Sequence, residues 1–144
     1  MTNQASQILN DIVGTLRTCG AFVVVGVDLP GSVSQSPRAC VTQVSLNFTP
    51  AEDRPTGVWG RLRARVAIHC RCDDDSSRIH QLNELAETAR SALLDDPHRG
   101  DLCTDLSQGR ATEIGHIEQS DSVRRPQGQV NMDVWCHFES QEAL

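Results

Sequence analysis

The chain has no lysine: all 13 of its basic residues are arginine. It has only five aromatic residues, two Trp and three Phe, and its 19 carboxylates give a formal net charge of −6. Nucleic-acid grip wants basic grooves and stacking platforms, so an acidic chain this poor in aromatics is badly equipped for it. The longest unbroken apolar run, Ala21 to Val25, is far too short to span a bilayer. The first 14 residues lack a basic segment and include Asp11, which argues against a signal peptide. Synthesis in a cytoplasm, with the six cysteines reduced, is the expectation. There is no Gly-x-Ser-x-Gly elbow, no His-Glu-x-x-His pair and no phosphate-cradling glycine loop. A chain of 144 residues fits one domain, burying ~68–70% of its unfolded surface without metals or disulfides.

What the chain does have is alternation. In the stretch from Arg61 to Cys72, Leu62, Ala64, Val66, Ile68, Cys70 and Cys72 share one parity, while Arg61, Arg63, Arg65, Ala67, His69 and Arg71 share the other. A strand sends successive side chains to opposite faces, so this is a long strand with one buried and one polar face. Gln129 to Glu139 repeats the pattern, with Val130, Met132, Val134, Cys136 and Phe138 inward and Asn131, Asp133, Trp135, His137 and Glu139 outward. A third alternating strand is expected from Ala39 to Thr49, with Thr42, Val44, Leu46 and Phe48 on one side. Its short connection to the Arg-rich strand suggests an antiparallel hairpin. Ala21 to Val27 reads as a short apolar strand, and a further strand is expected from Ala111 to Glu118.

Two helices accompany the strands. Ile8, Leu9, Ile12, Val13 and Leu16 form one stripe within Asn3 to Thr18, and Gly20 supplies a left-handed stop. Ile79, Leu82, Ala86, Ala89 and Leu93 line a second helix from Ser77 to about Leu94, capped by Asp75 or Ser76 and ended by Pro97. Asp95 and Asp96 stand at the end of this helix where the dipole favours cations. These pieces give a two-layer α+β domain spanning 1–144: a mixed, mostly antiparallel sheet with both helices on its apolar face, and a polar face left uncovered.

That polar face holds the candidate functional residues. Arg61, Arg63 and Arg65 stand ~6.7 Å apart along their strand. Guanidiniums at that spacing repel by about 0.6 kcal/mol in water but about 2.5 kcal/mol at an effective dielectric of 20. A covered face therefore needs carboxylates, and Asp133 and Glu139 are suitably placed. Trp135 breaks the polar parity of its strand, which points to a subunit contact or to stacking on arginine. Cys70, Cys72, Cys136, His69 and His137 invite a zinc reading, but the cysteines and histidines fall on opposite faces, and a tetrahedral site needs its ligands together. His69 and His137 could serve acid–base catalysis only with a third orienting group that the sequence does not supply. Arg99-Gly100-Asp101 matches an adhesion tripeptide, a match too short to carry weight.

The order of these elements resembles the tail terminator (tail-completion) proteins of long-tailed bacteriophages, of the lambdoid minor tail protein U type. The resemblance runs over nearly the whole chain. It comprises an opening amphipathic helix, the strand Ala21 to Val27, and a strand ending in a polar loop from Val41 to Gly57. The strand led by Val58-Trp59-Gly60-Arg61 follows, running into the helix Ser77 to Leu94 and then Leu93-Leu94-Asp95-Asp96-Pro97. The polar turn Arg124-Arg125-Pro126-Gln127-Gly128 precedes the closing strand. The resemblance implies a structural, non-enzymatic virion protein without cofactor or metal. It would form a ring, hexameric in that family, at the top of the tail tube. Such a ring stops tube polymerisation and joins the tail to the head–tail connector or head-closure protein, with double-stranded DNA passing as cargo. Assembly would take place in the host cytoplasm, with no membrane involved. On this reading Arg61, Arg63, Arg65, His69, Arg71, Asp133, Trp135, His137 and Glu139 belong to a subunit interface or the lumen. Pro30, Ser32, Gln35, Arg38, Glu52, Asp53, Arg54, Arg124 and Arg125 belong to loops touching neighbours or tube, and the loops Pro30–Arg38 and Pro50–Gly57 would order on docking. A neck or head-closure adaptor is the alternative within the same class. A small hydrolase or transferase using His69 or His137 is the alternative outside it.

Overall fold

Both long alternating stretches form strands, and their apolar parities close onto one core. The structure, a computed structural model, describes residues 3–28, 36–50, 57–71, 75–105, 109–121 and 127–140. Its elements run α1 (Gln4–Thr18), β1 (Val24–Val27), β2 (Arg38–Pro50), β3 (Val58–Arg71), α2 (Asp75–Asp95), β4 (Thr112–Asp121) and β5 (Gln127–Ser140). The five strands form one sheet in the order β1-β2-β3-β5-β4. Among the described strands only β1 and β2 run parallel; the other three pairings are antiparallel. The fold is α+β, as the alternation and the two amphipathic stretches require.

The core forms between the helices and the even-numbered residues of β3 and β5. Leu62, Ala64, Val66, Ile68, Met132, Val134 and Cys136 are fully enclosed together with Ile8, Ile12 and Leu16 of α1 and Leu82, Ala89 and Leu93 of α2. Asn3 caps α1 by accepting the Ser6 N–H at 2.8 Å, and Gly20 at φ 77° follows its end. Arg17 donates from Nε and Nη2 to the Val25 carbonyl at 3.2 and 3.0 Å, tying α1 to β1. Where β3 passes Phe138, only glycine fits: a Cβ on Gly60 would lie 2.3 Å from the ring. No described helix is long and apolar enough to cross a membrane.

Several sequence expectations need correcting. Thr42 does not share a face with Leu46 and Phe48. The β2–β3 register shifts between Gln43 and Ser45, so Thr42 lies opposite Arg65 while Leu46 lies opposite Leu62 and Phe48 opposite Gly60. This bulge at Val44 returns the odd-parity apolar residues Ala39 and Val41 and the even-parity Leu46 and Phe48 to one face. In α2, Ile79 is 42% exposed and Arg78 is enclosed in its place. Arg78 reaches the space over Gly128, where a Cβ would meet its Cδ at 3.2 Å and Leu82 at 2.6 Å. Arg38 and Pro50, expected in loops, are the end residues of β2. Asp75 and Ser76, expected as caps of α2, are its first two residues; Cys72 and the loop residues Pro30, Ser32, Gln35, Glu52, Asp53, Arg54, Arg124 and Arg125 lie outside what is described.

Asp95 and Asp96 have a neighbour that repairs the end of α2. Arg99, fully buried, donates from Nη2 to the carbonyls of Leu93 and Asp96 and approaches Asp11 and Thr15 of α1 through Nη1, at 3.4 Å each. A cation thus stands where the dipole wants one. The Asp96 carboxylate is itself occupied, accepting the N–H groups of His98 (3.3 Å) and Gly100 (2.8 Å). Burial of Arg99 takes the basic residue of the adhesion tripeptide off the surface, while Gly100 and Asp101 stay exposed.

Candidate functional site

The sheet face away from the helices is built from the odd residues of β3 and β5. Register places Trp59 opposite Glu139, Arg61 opposite His137, Arg63 opposite Trp135, Arg65 opposite Asp133, Ala67 opposite Asn131 and His69 opposite Gln129. On the outer side of β3 the same face carries the short polar residues Asn47, Ser45 and Thr42 of β2. On the outer side of β5 it carries Glu113 and Glu118 of β4.

Asp133 organises the arginines. Its Oδ2 accepts from Arg63 Nη2 at 2.7 Å and its Oδ1 from Arg65 Nε at 3.3 Å, one carboxylate holding two guanidiniums. Burial works to raise the Asp133 pKa, but the hydrogen bonds and positive field of Arg63 and Arg65 outweigh it and hold the carboxyl below its ordinary value. The expected partnership between Asp133 and the arginine row is thus present. Glu139, the other expected partner, lies opposite Trp59 in the register.

Trp135 completes the arrangement. The Arg61 guanidinium stands over its ring at 4.0 Å and that of Arg63 at 5.1 Å. The indole backs onto the β4 bulge, where a Cβ on Gly115 would come within 3.2 Å of Nε1. Trp135 therefore packs half-buried against its own sheet's arginines, and no carboxylate among the described residues closes on Arg61.

The face is free of helices, yet it is not uniformly wet. Asp133 and His137, expected outward and solvated, are 7% and 6% exposed. Arg63 and Arg65 lie against Asp133. The strand edge at His137 is closed by the Thr104 N–H to its carbonyl (2.9 Å) and by its own N–H to the Ala111 carbonyl (2.8 Å). Alternation in sequence reports which face a residue occupies, and neighbouring long side chains then decide how much of it meets water.

The histidines do not converge. His69 and His137 are eight β3 residues apart in register, or ~26 Å. His137 Nε2 has Glu113 Oε2 at 3.8 Å, a partner the sequence pattern did not single out because β4 loses its alternation at the Gly115 bulge. Burial, then the field of Arg61, lowers the His137 pKa against the opposing pull of Glu113; burial, then Arg38, lowers that of His69. Each favours the neutral ring in the fold, so the unfolded chain binds more protons just below pH ~6.5. Stability from this source is complete above that value and is lost as the pH falls through the folded-state pKa values. The unfolding midpoint is expected to drop between pH ~7.5 and ~5, and His69→Gln with His137→Gln to flatten that slope. An equally steep slope in the double variant, followed by circular dichroism, would exclude this source.

Cys70, Cys103 and Cys136 behave as core thiols. Cys70 donates to Gln81 Oε1 at 2.8 Å, and Cys19 donates to the Leu16 carbonyl at 3.0 Å. Cys103 and Cys136 are hydrogen-bonded to each other within the core, and that contact together with burial pushes the Cys103 thiol far up. Among the described residues no three of His, Cys, Asp and Glu gather as metal ligands would.

No family model matches the chain, and none of the curated proteins is similar to it. Among solved structures it is similar to a chain from the virion of a native gene transfer agent particle, at 13% identity and a TM-score of 0.43, over 87% of this chain and 84% of that one.

Proposed function

We propose that this chain is a structural protein of a tailed virion that forms a ring at the top of the tail tube. In that role it stops tube growth and joins the tail to the head connector, with its helix-free face turned to the channel. The sequence resemblance supplies the family. One structural observation supports the channel assignment: the arginine row is partly neutralised from within. Asp133 takes Arg63 and Arg65, and Trp135 takes Arg61 and shares Arg63. A conduit must pass DNA without holding it, and each unpaired cation would add a phosphate contact to be broken. His69, Arg71, His137 and Glu139 share the same face. Arg38 stands at the β2 margin beside His69.

The test is made on tails. Without the protein, tubes should grow to uncontrolled length, and adding it back should restore one length. Tubes of normal length that merely fail to join heads would assign the chain to the neck or head-closure adaptor instead. A catalytic role for the histidines would require activity that His69→Gln or His137→Gln abolishes, whereas tail completion should survive both substitutions.

A further inference from the structure

We propose that β4 is a docking edge: its open side takes an extended strand from another protein of the virion, with arginine or lysine on one face and apolar residues on the other. The inference takes from the proposed function only that the chain is assembled with other virion proteins. It starts from where the backbone groups of β4 point. The His137 N–H donates to the Ala111 carbonyl, and the His137 carbonyl accepts from the Thr104 N–H, so the odd residues of β5 turn their polar groups toward β4. Opposite those residues stand Glu113, His116, Glu118 and Ser120. By alternation Ile117, Gln119 and Asp121 turn N–H and C=O the other way, where no further described strand lies.

The margin on the other side of the sheet is blunted, and this one is not. Strand β1 has only four residues, and Arg17 reaches from α1 to hold its Val25 carbonyl. The part of β2 that extends past β1 is bulged at Val44 and ends in Pro50. Short strands, basic side chains, bulges and proline are ordinary protections of a sheet edge. From His116 to Asp121, β4 runs in regular register with no bulge, lysine, arginine or proline. Its side chains set the chemistry of the partner. Glu118, beside Asn131, is exposed on the helix-free face, and Glu113 stands on the same face and margin. Ile117, beside Met132, is 43% exposed on the helix face. A strand laid here sends alternate residues to the two faces, so its cations meet the glutamates while an apolar side chain covers Ile117. The β4 of a second copy would instead bring acid against acid. In such strand addition the main chain supplies affinity and the alternate side chains supply selectivity.

The experiment uses the full chain and a synthetic peptide of alternating arginine and valine, followed by amide hydrogen exchange. Exchange at Ile117, Gln119 and Asp121 is expected to slow by about tenfold or more on binding, with Val24 to Val27 unchanged. Gln119→Pro removes an outward N–H and leaves the bonds to β5 in place, so it should weaken binding by about tenfold. Glu118→Arg should weaken the arginine peptide by about fivefold and favour a peptide of alternating glutamate and valine. The arginine peptide with every backbone amide methylated keeps both faces but has no N–H to offer, and it should not bind. Equal binding by the methylated peptide would overturn the proposal by showing charge attraction alone. Protection at β1 with none at β4, or no protection at any peptide concentration, would overturn it as well. So would free protein that is dimeric and already protected at Ile117, Gln119 and Asp121, because the occupant is then a second copy. Tube length is measured without the peptide, so either reading can fail while the other stands.

Discussion

Replacing Arg99 with alanine is expected to destabilise the fold by about 3–5 kcal/mol, the range for removing one partner of a buried, hydrogen-bonded charge set. At this chain length that lowers the unfolding midpoint by about 10 °C or more. The reason lies in what Arg99 joins. Its guanidinium satisfies the last carbonyls of α2 at Leu93 and Asp96 and reaches Asp11 and Thr15 on α1, so one side chain links both helices behind the sheet. Without it those carbonyls and the half-buried Asp11 lose their cation. The Asp11 carboxyl, already raised by burial despite Arg99, would rise further. Arg99→Lys should recover part of the loss, since a point charge remains while the fork that spans two carbonyls does not. Thermal unfolding of the two variants beside Gly14→Ala, an exposed helical site with open space for a Cβ, separates the clamp from any general sensitivity of the helices. An alanine variant within about 1 kcal/mol of the parent would show that the clamp contributes nothing beyond a surface pair.

The second large effect concerns charge. Asp133→Asn keeps the shape of the residue but releases Arg63 and Arg65 from their shared carboxylate. In an assembled ring every subunit would then turn one further net positive charge to the channel. With a salt slope of about −0.9 per phosphate contact, six to ten new contacts correspond to roughly 1,000- to 100,000-fold in affinity across an ordinary range of salt. The assembled parent protein is expected to release double-stranded DNA at physiological salt, whereas assembled Asp133→Asn retains it and sheds it steeply as salt rises. Filter binding across a salt series measures this. Equal, weak binding by both proteins would mean that the arginine row does not face DNA.

Much of this architecture is readable in the chain because period-two alternation is a direct consequence of strand geometry. Ten positions of β3 and β5, from Leu62 to Cys70 and from Val130 to Phe138, are buried as their parity requires. The Asp133 pairing could be anticipated for the same reason, since parity put carboxylate and arginines on one face. What escaped has a common cause: departures from the period. The bulge at Val44 hides in a run of mixed polarity, and only the change of apolar parity from Val41 to Leu46 betrays it. The bulge at Gly115 scrambles β4, so Glu113 was not recognised as the neighbour of His137. In α2 a shift of one position exchanges Ile79 for Arg78, because a buried arginine defies the apolar stripe and answers to the space above Gly128. Arg99 was invisible as a cap, since it lies beyond Pro97 and returns to the helix through residues at φ 50° and 62°, Arg99 itself and Gly100. Local pattern fixes faces; tertiary contacts decide who fills them.

Native mass spectrometry of the purified chain, alone and released from tail tubes, bears most directly on the idea that copies of this chain close into a ring around a channel. A sharp species of six copies of the 15.8 kDa chain is the predicted result. A lone chain in every preparation, or a two-fold pair that grows no further, would contradict it.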